Sequence, residues 1–164
     1  MGEATRPGTE TVAEIGLLIY PDCQLAAVYG LTDLFRIANE WAARSESVAQ
    51  KRGPAPFLRV SHWQADEAGG GIDCVYDSLA GTPHQLTHVI APPSIFMPEK
   101  MRSMPLAAGW MNARHAEGST PCSVCPGALV LAATGPLHRH RATTPSASVP
   151  QLSERLPGTA HSAA

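Results

Sequence analysis

The chain is short of charge and of aromatic rings. Charged residues make up 16% of its 164 positions and aromatic residues only 5%. The formal net charge is −2, with 12 Lys+Arg against 14 Asp+Glu. That balance offers no basic field to gather nucleic acid. No apolar run approaches the ~20 residues needed to span a bilayer. The N-terminal stretch MGEATRPGTETVAE lacks the apolar core of a signal peptide. A cytoplasmic protein is expected, with no membrane contact and no direct nucleic-acid binding. Cysteine is scarce too: Cys23, Cys74, Cys122 and Cys125 do not make a disulfide scaffold in a chain this long, and reduced thiols are expected.

Proline (15) and glycine (14) are abundant but gather in the tails and joints. The length suits one domain with a real core. The expected organisation is a polar leader over 1–13, a folded domain over 14–144 and a poorly structured tail over 145–164. There are no internal repeats.

Glu14 to Tyr20 (EIGLLIY) is a nearly continuous apolar run, the pattern of a strand covered on both faces. Pro21-Asp22 breaks it. Ala26 to Ala43 then places Ala27, Leu31, Leu34, Phe35, Ala38 and Trp41 at helical spacing. Phe57 to Trp63 reads as a second strand, Gly69 to Gly71 as a turn, and Ile72 to Leu79 as an extended excursion. Thr87 to Ala91 reads as a further central strand, stopped by Pro92-Pro93. Pro98 to Glu117 predicts one helix, or two split near Pro105. Strands alternating with helices predict an α/β three-layer sandwich, flavodoxin-like, with a mostly parallel sheet and helices on both faces.

The stretch STPCSVCPGALVLAATG (119–135) carries the most chemical information. It reads as a short strand that turns at Cys125-Pro126-Gly127 and enters an Ala/Leu-rich helix. A thiol on such a turn meets the positive end of a helix, which favours the thiolate. Four readings compete. A thioredoxin-like pair would place its first cysteine at the helix cap, whereas here Cys122 belongs to the strand. A structural zinc site needs a second short-spaced pair, and Cys74, His115, His138 and His140 do not supply one. A cysteine nucleophile needs a base and often an acid. The fourth reading is a small residue at a crowded turn, with no chemistry. No metal and no cofactor are expected.

Several ordered segments together resemble a known family. IGLLIYPDCQLAAVYGLTDLFRIANEWA resembles the first strand and helix of the PfpI/ThiJ-type, class I glutamine-amidotransferase-like domains. HVIAPPS, WMNARHAEGS and SVCPGALVLAATGPLHRHRATT resemble the ligand domain of amidase-type AraC-family transcriptional regulators. The resemblance implies a nucleophile-elbow turn with Cys125 at its apex. It also implies an acid early in the first helix region, where this chain has Ala27. The family's Ala-Thr-Thr string is followed by His-Trp, but Ala142-Thr143-Thr144 is followed here by Pro145-Ser146. The strand end that is often Gly-Gly in the enzymes reads Pro92-Pro93-Ser94, and proline supplies no N–H donor.

The resulting expectation is a non-catalytic sensing and dimerisation domain related to AraC-type regulators, a homodimer answering to a small-molecule effector. The regulators carry helix-turn-helix units after this domain, and the Pro/Ser/Ala-rich residues 145–164 do not form one, so a truncated or frameshifted regulator is expected. The alternatives are a cysteine-dependent hydratase or amidase with Cys125 as nucleophile, and a thiol redox sensor. Ligand sites in open α/β sheets lie at the C-terminal strand edge. Tyr20, Asp22, Cys23, Pro93, Ser94, Cys125 and Pro126 are therefore the candidate ligand-binding residues.

Other residues have plainer readings. His138 to Arg141 reads as a solvated loop and His115 as a helix C-terminal cap. Trp41 and Trp110 are expected in the core, with Met97, Met101, Met104 and Met111 filling gaps. Trp63, beside His62, would line a pocket or close the sheet edge. Asp33 is assigned no role.

Overall fold

The apolar run after Glu14 lies at the centre of a five-stranded sheet. The structure is a computed structural model that describes residues 10–48, 56–66, 70–132, 142–144 and 161–163. β1 (Glu10–Ile19) pairs in parallel with β2 (Pro56–Asp66) on one side and with β4 (His88–Ala91) on the other. Beyond β4 lies β5 (Thr120–Ser123), also parallel; beyond β2 lies β3 (Gly71–Asp77), antiparallel. The order is β3-β2-β1-β4-β5. This is the expected mostly parallel α/β sheet, and the excursion after Gly71 is its one antiparallel member among the described residues. β1 starts at Glu10, earlier than its apolar run.

α1 (Leu25–Val48) and α2 (Pro105–Ala116) cover opposite faces. Neighbouring residues of β2 show this, because strand side chains alternate. His62 reaches Thr32 of α1, while Trp63 stacks on Trp110 of α2 with centroids 5.4 Å apart. Of the two readings of 98–117, one helix or two split near Pro105, the split is the nearer: a short 3-10 turn, Pro98–Lys100, precedes α2. α3 (Ala128–Ala132) follows β5, and β6 (Ala142–Thr144) and β7 (His161–Ala163) form a separate parallel pair. His138 to Arg141, and the 145–164 tail apart from β7, lie outside the described residues.

The core is built from Leu17, Leu18, Val28, Val60, Val89, Met111 and Val130, all fully enclosed. Two core expectations need correction. Trp41 is 66% exposed and Met97 61%. Trp41 continues the stripe of Leu34 and Ile37, which faces away from the sheet. The side that packs inward follows Val28, Thr32, Phe35 and Asn39, a parallel set of helical spacings.

Arg59 on β2 is 1% exposed, yet every N–H it owns is used. Nε donates to Asp77 Oδ1 (3.0 Å), and Nη2 donates to Asp77 Oδ2 (2.7 Å) and the Thr82 carbonyl (2.8 Å). Nη1 donates to Glu14 Oε2 (3.2 Å) and the Pro83 carbonyl (3.0 Å). Glu14 also accepts from His84 Nδ1 and from the Gln85 amide. A guanidinium has five donors, and none is left over. One side chain thus joins β1, β2, β3 and the segment that crosses to β4.

The outward edge of β2 is closed by side chains where β3 has ended. Ser78 donates its N–H to the Val60 carbonyl, and its hydroxyl accepts the Val60 N–H. Further out, the Asn39 side chain does the same for Leu58. Its amide donates to the Leu58 carbonyl (2.9 Å), and its oxygen accepts the Leu58 N–H (2.8 Å).

Replacing Arg59 with Met leaves the buried Glu14 and the half-buried Asp77 without their cation, which costs about 3–5 kcal/mol; urea denaturation at neutral pH reads this loss directly. Asp77 gives the pH dependence. Burial alone would push its carboxyl up, but the Arg59 hydrogen bonds, the Leu79 amide and the charges of Arg59 and His84 outweigh burial and hold it below the usual carboxylate range. A carboxyl lowered by folding stabilises above its unfolded pKa of about 3.9 and ceases to as pH falls through the folded value. The stability gap between the native chain and Asp77→Asn is therefore full at neutral pH and narrows below about pH 3.9.

Candidate functional site

β5 ends by donating the Val124 N–H to the Ala91 carbonyl at the end of β4. Cys125 then takes φ 51, in the left-handed region that L residues rarely occupy. A 3-10 turn, Cys125–Gly127, leads into α3. The sharp strand–turn–helix read from the sequence is thus present, with Cys125 at its apex and exposed. Gly127 explains how tightly it is made. A Cβ there would lie 2.4 Å from the Pro92 carbonyl oxygen and 2.5 Å from that of Ala91. The turn is pressed onto backbone that cannot move aside.

The candidate ligand-binding residues gather at this C-terminal edge. Cys23 and Ser94 form an isolated antiparallel bridge. The Gln24 N–H donates to Pro93 O, and the Ile95 N–H and Ser94 hydroxyl donate to Asp22 O. Tyr20 donates its hydroxyl proton to Pro92 O (2.5 Å). Burial, and then the negative charge that the Cys23 and Cys125 thiols would carry, push the Tyr20 phenol far above its ordinary range. Burial also pushes up the thiols of Cys23 and Cys122.

The edge holds a small pocket of about 120 Å³, lined by Pro21, Asp22, Ser94, Phe96 and Met101 to Met104. Asp22 and Ser94 are in it; Tyr20, Cys23 and Pro126 are buried outside it. The sequence reading did not find Phe96 or Arg102, since neither stands in a motif. Cys125 makes no hydrogen bond to a His, Asp or Glu among the described residues, and Ala27 is half-buried on α1. No three His, Cys, Asp or Glu side chains gather there in a metal-binding group among the described residues.

A larger cleft of about 410 Å³ opens elsewhere, between α1, β2 and β3. Ile19, Tyr29, Thr32, Asp33, Arg36, His62, Gln64, Val75 and Tyr76 line it. His62 is 4% exposed and lies between two tyrosines, its ring centroid 5.9 Å from Tyr29 and 4.5 Å from Tyr76. Nothing local in the sequence marks this cleft, because its walls come from four elements, β1, α1, β2 and β3.

Solved structures share this architecture. An AraC family transcriptional regulator from Pseudomonas putida superposes with a TM-score of 0.64 at 16% identity, over 93% of this chain and 77% of that one. DJ-1beta of Drosophila melanogaster gives 0.57 at 14% identity, over 93% and 74%. A ThiJ/PfpI family protein from Pseudomonas syringae gives 0.56 at 18% identity, over 100% and 64%. The chain has the DJ-1/ThiJ/PfpI fold. At these identities the likeness is one of fold. No protein-family model matches the chain, and no curated protein matches it. No described helix is long and apolar enough to cross a membrane.

The crowding at Gly127 has a measurable result. Gly127→Ala is destabilised by about 1–3 kcal/mol in urea. Gly109→Ala, on an exposed turn of α2 where a Cβ meets nothing within 4 Å, is neutral or more stable.

Proposed function

We propose that this chain is a non-catalytic sensing and dimerisation domain of the type found in AraC-family regulators, acting in the cytoplasm as a homodimer with a small-molecule effector. The observation that carries this reading is the outer face of α1. Leu34, Ile37 and Trp41 are 57%, 55% and 66% exposed and, with Gly30, follow helical spacing along one stripe. A monomer rarely leaves such a stripe in water. Asp33, Arg36, Glu40 and Arg44 run along one flank of it with alternating sign.

This order is self-complementary. A second copy laid antiparallel about a dyad near Ala38 brings Asp33 against the second copy's Arg44, and Arg36 against its Glu40. Residues on one flank of an antiparallel pair meet the same flank of the other helix, so both pairs form together. Isologous pairing of this kind is the commonest form of soluble assembly. The shared fold with an AraC-family regulator supports the sensing half of the reading. The effector would sit at the C-terminal strand edge, against Asp22, Ser94 and the Cys125 turn.

One observation favours a second reading, a cysteine-dependent hydratase or amidase or a thiol redox sensor: Cys125 is exposed and held at φ 51. Light scattering across a concentration series tests the dimer on which the first reading rests. The first reading expects a dimer that Ile37→Glu weakens by more than about tenfold while its circular dichroism is unchanged, and that Cys125→Ser leaves intact. A native chain that stays monomeric at high concentration, or an Ile37→Glu variant that dimerises as before, overturns it.

A further inference from the structure

We propose that the cleft between α1, β2 and β3 binds a small neutral aromatic molecule that donates an N–H or O–H group to His62. Cys125 does not line this cleft, and the proposal does not depend on the dimer or on the effector reading above.

The argument begins with the direction of one hydrogen bond. Thr32 Oγ1 donates its only proton to the Val28 carbonyl at 2.8 Å. It therefore accepts at its 2.8 Å contact with His62 Nε2, which assigns the proton of His62 to Nε2. Nδ1 is left with a lone pair, and no protein group is bonded to it among the described residues. Burial lowers the pKa of the ring, so it is neutral at pH 7 and Nδ1 remains an acceptor. Among the described residues, Arg114 Nε is the one fully enclosed side-chain nitrogen or oxygen that lacks a partner. His62 Nδ1 is thus not sealed in the core, and the space its ring lines is the cleft. An acceptor in a ring that is 4% exposed and opens onto a cleft is met by water or by the donor of a ligand that displaces that water.

The walls define what fills it. Tyr29 meets His62 edge-on, with planes 69° apart, and Tyr76 lies tilted over it at 36°. Ile19 and Val75 complete an apolar and aromatic lining. A flat ring finds π-faces and edges on both sides of the imidazole. Asp33 and Arg36 bring one charge of each sign to the lining, so the cleft has no net field that would select an ion. Its volume, about 410 Å³, lies low in the range of small-molecule pockets and suits one or two fused rings. Phenols and indoles have the required chemistry: a planar apolar body with one donor at its rim.

Indole, with N-methylindole as the donor-less control, tests this on the full chain by NMR of the histidine ring nitrogens. The expected result is that indole shifts the His62 Nδ1 resonance and binds about tenfold more tightly than N-methylindole, the value of one buried hydrogen bond. His62→Phe abolishes that preference. Tyr29→Ala, at an exposed position where the fold is not at risk, weakens both ligands. Equal affinity of the native chain for the two compounds overturns the proposal. So does an unmoved Nδ1 resonance, or a binding response confined to Met101–Met104.

Discussion

Arg59 fixes the register on which both faces of the sheet depend. Side chains of a strand alternate, so a slip of one residue would turn every one to the wrong face. Arg59 allows no slip: its five donors meet acceptors from Glu14, Asp77, Thr82 and Pro83 at once. Three positions along β2, on the opposite face, His62 is thereby aimed at Thr32. Trp63, one position further, is aimed back at Trp110, and Arg114 caps that stack at 6.0 Å from the Trp110 ring. Desolvating a guanidinium and two carboxylates is expensive, and complete satisfaction of the group is what offsets it.

The two candidate sites are built in opposite ways. At the Cys125 turn the limiting contacts fall on backbone: Gly127 against Ala91 and Pro92, the Val124 N–H on the Ala91 carbonyl, and the Tyr20 hydroxyl on the Pro92 carbonyl. The carbonyls at the end of β4 are consumed in holding the turn, and Pro92 and Pro93 bring no N–H groups to replace them. The cleft beside α1 is made of side chains instead. Its polar groups are set by tautomer and alternation rather than by chain crossing, which leaves an acceptor available inside it.

Much of the architecture was legible because it rests on local pattern. The continuous apolar run of β1, the Pro-broken helix before α2 and the Cys-Pro-Gly turn each show in a few residues. Trp41 misled because helical spacing reports two apolar stripes on α1 without saying which one meets the sheet. Phe96 and Arg102 were not found because their pocket is formed by a loop folding over Asp22. The His62 cleft was hidden for a different reason: it joins Tyr29, His62 and Tyr76 across the chain, and its key property is the direction of a proton on Thr32. No spacing rule encodes that.

Ser78 and Asn39 occupy the peptide groups of Val60 and Leu58 that point away from β1. A stray extended segment needs a row of vacant N–H and C=O groups to attach to a sheet. Here the row beyond β3 is already occupied, in part by an amide from the covering helix acting as a one-residue substitute strand. Growth by strand addition is therefore blocked along this stretch of β2, by a helix side chain and a turn residue rather than by a further strand.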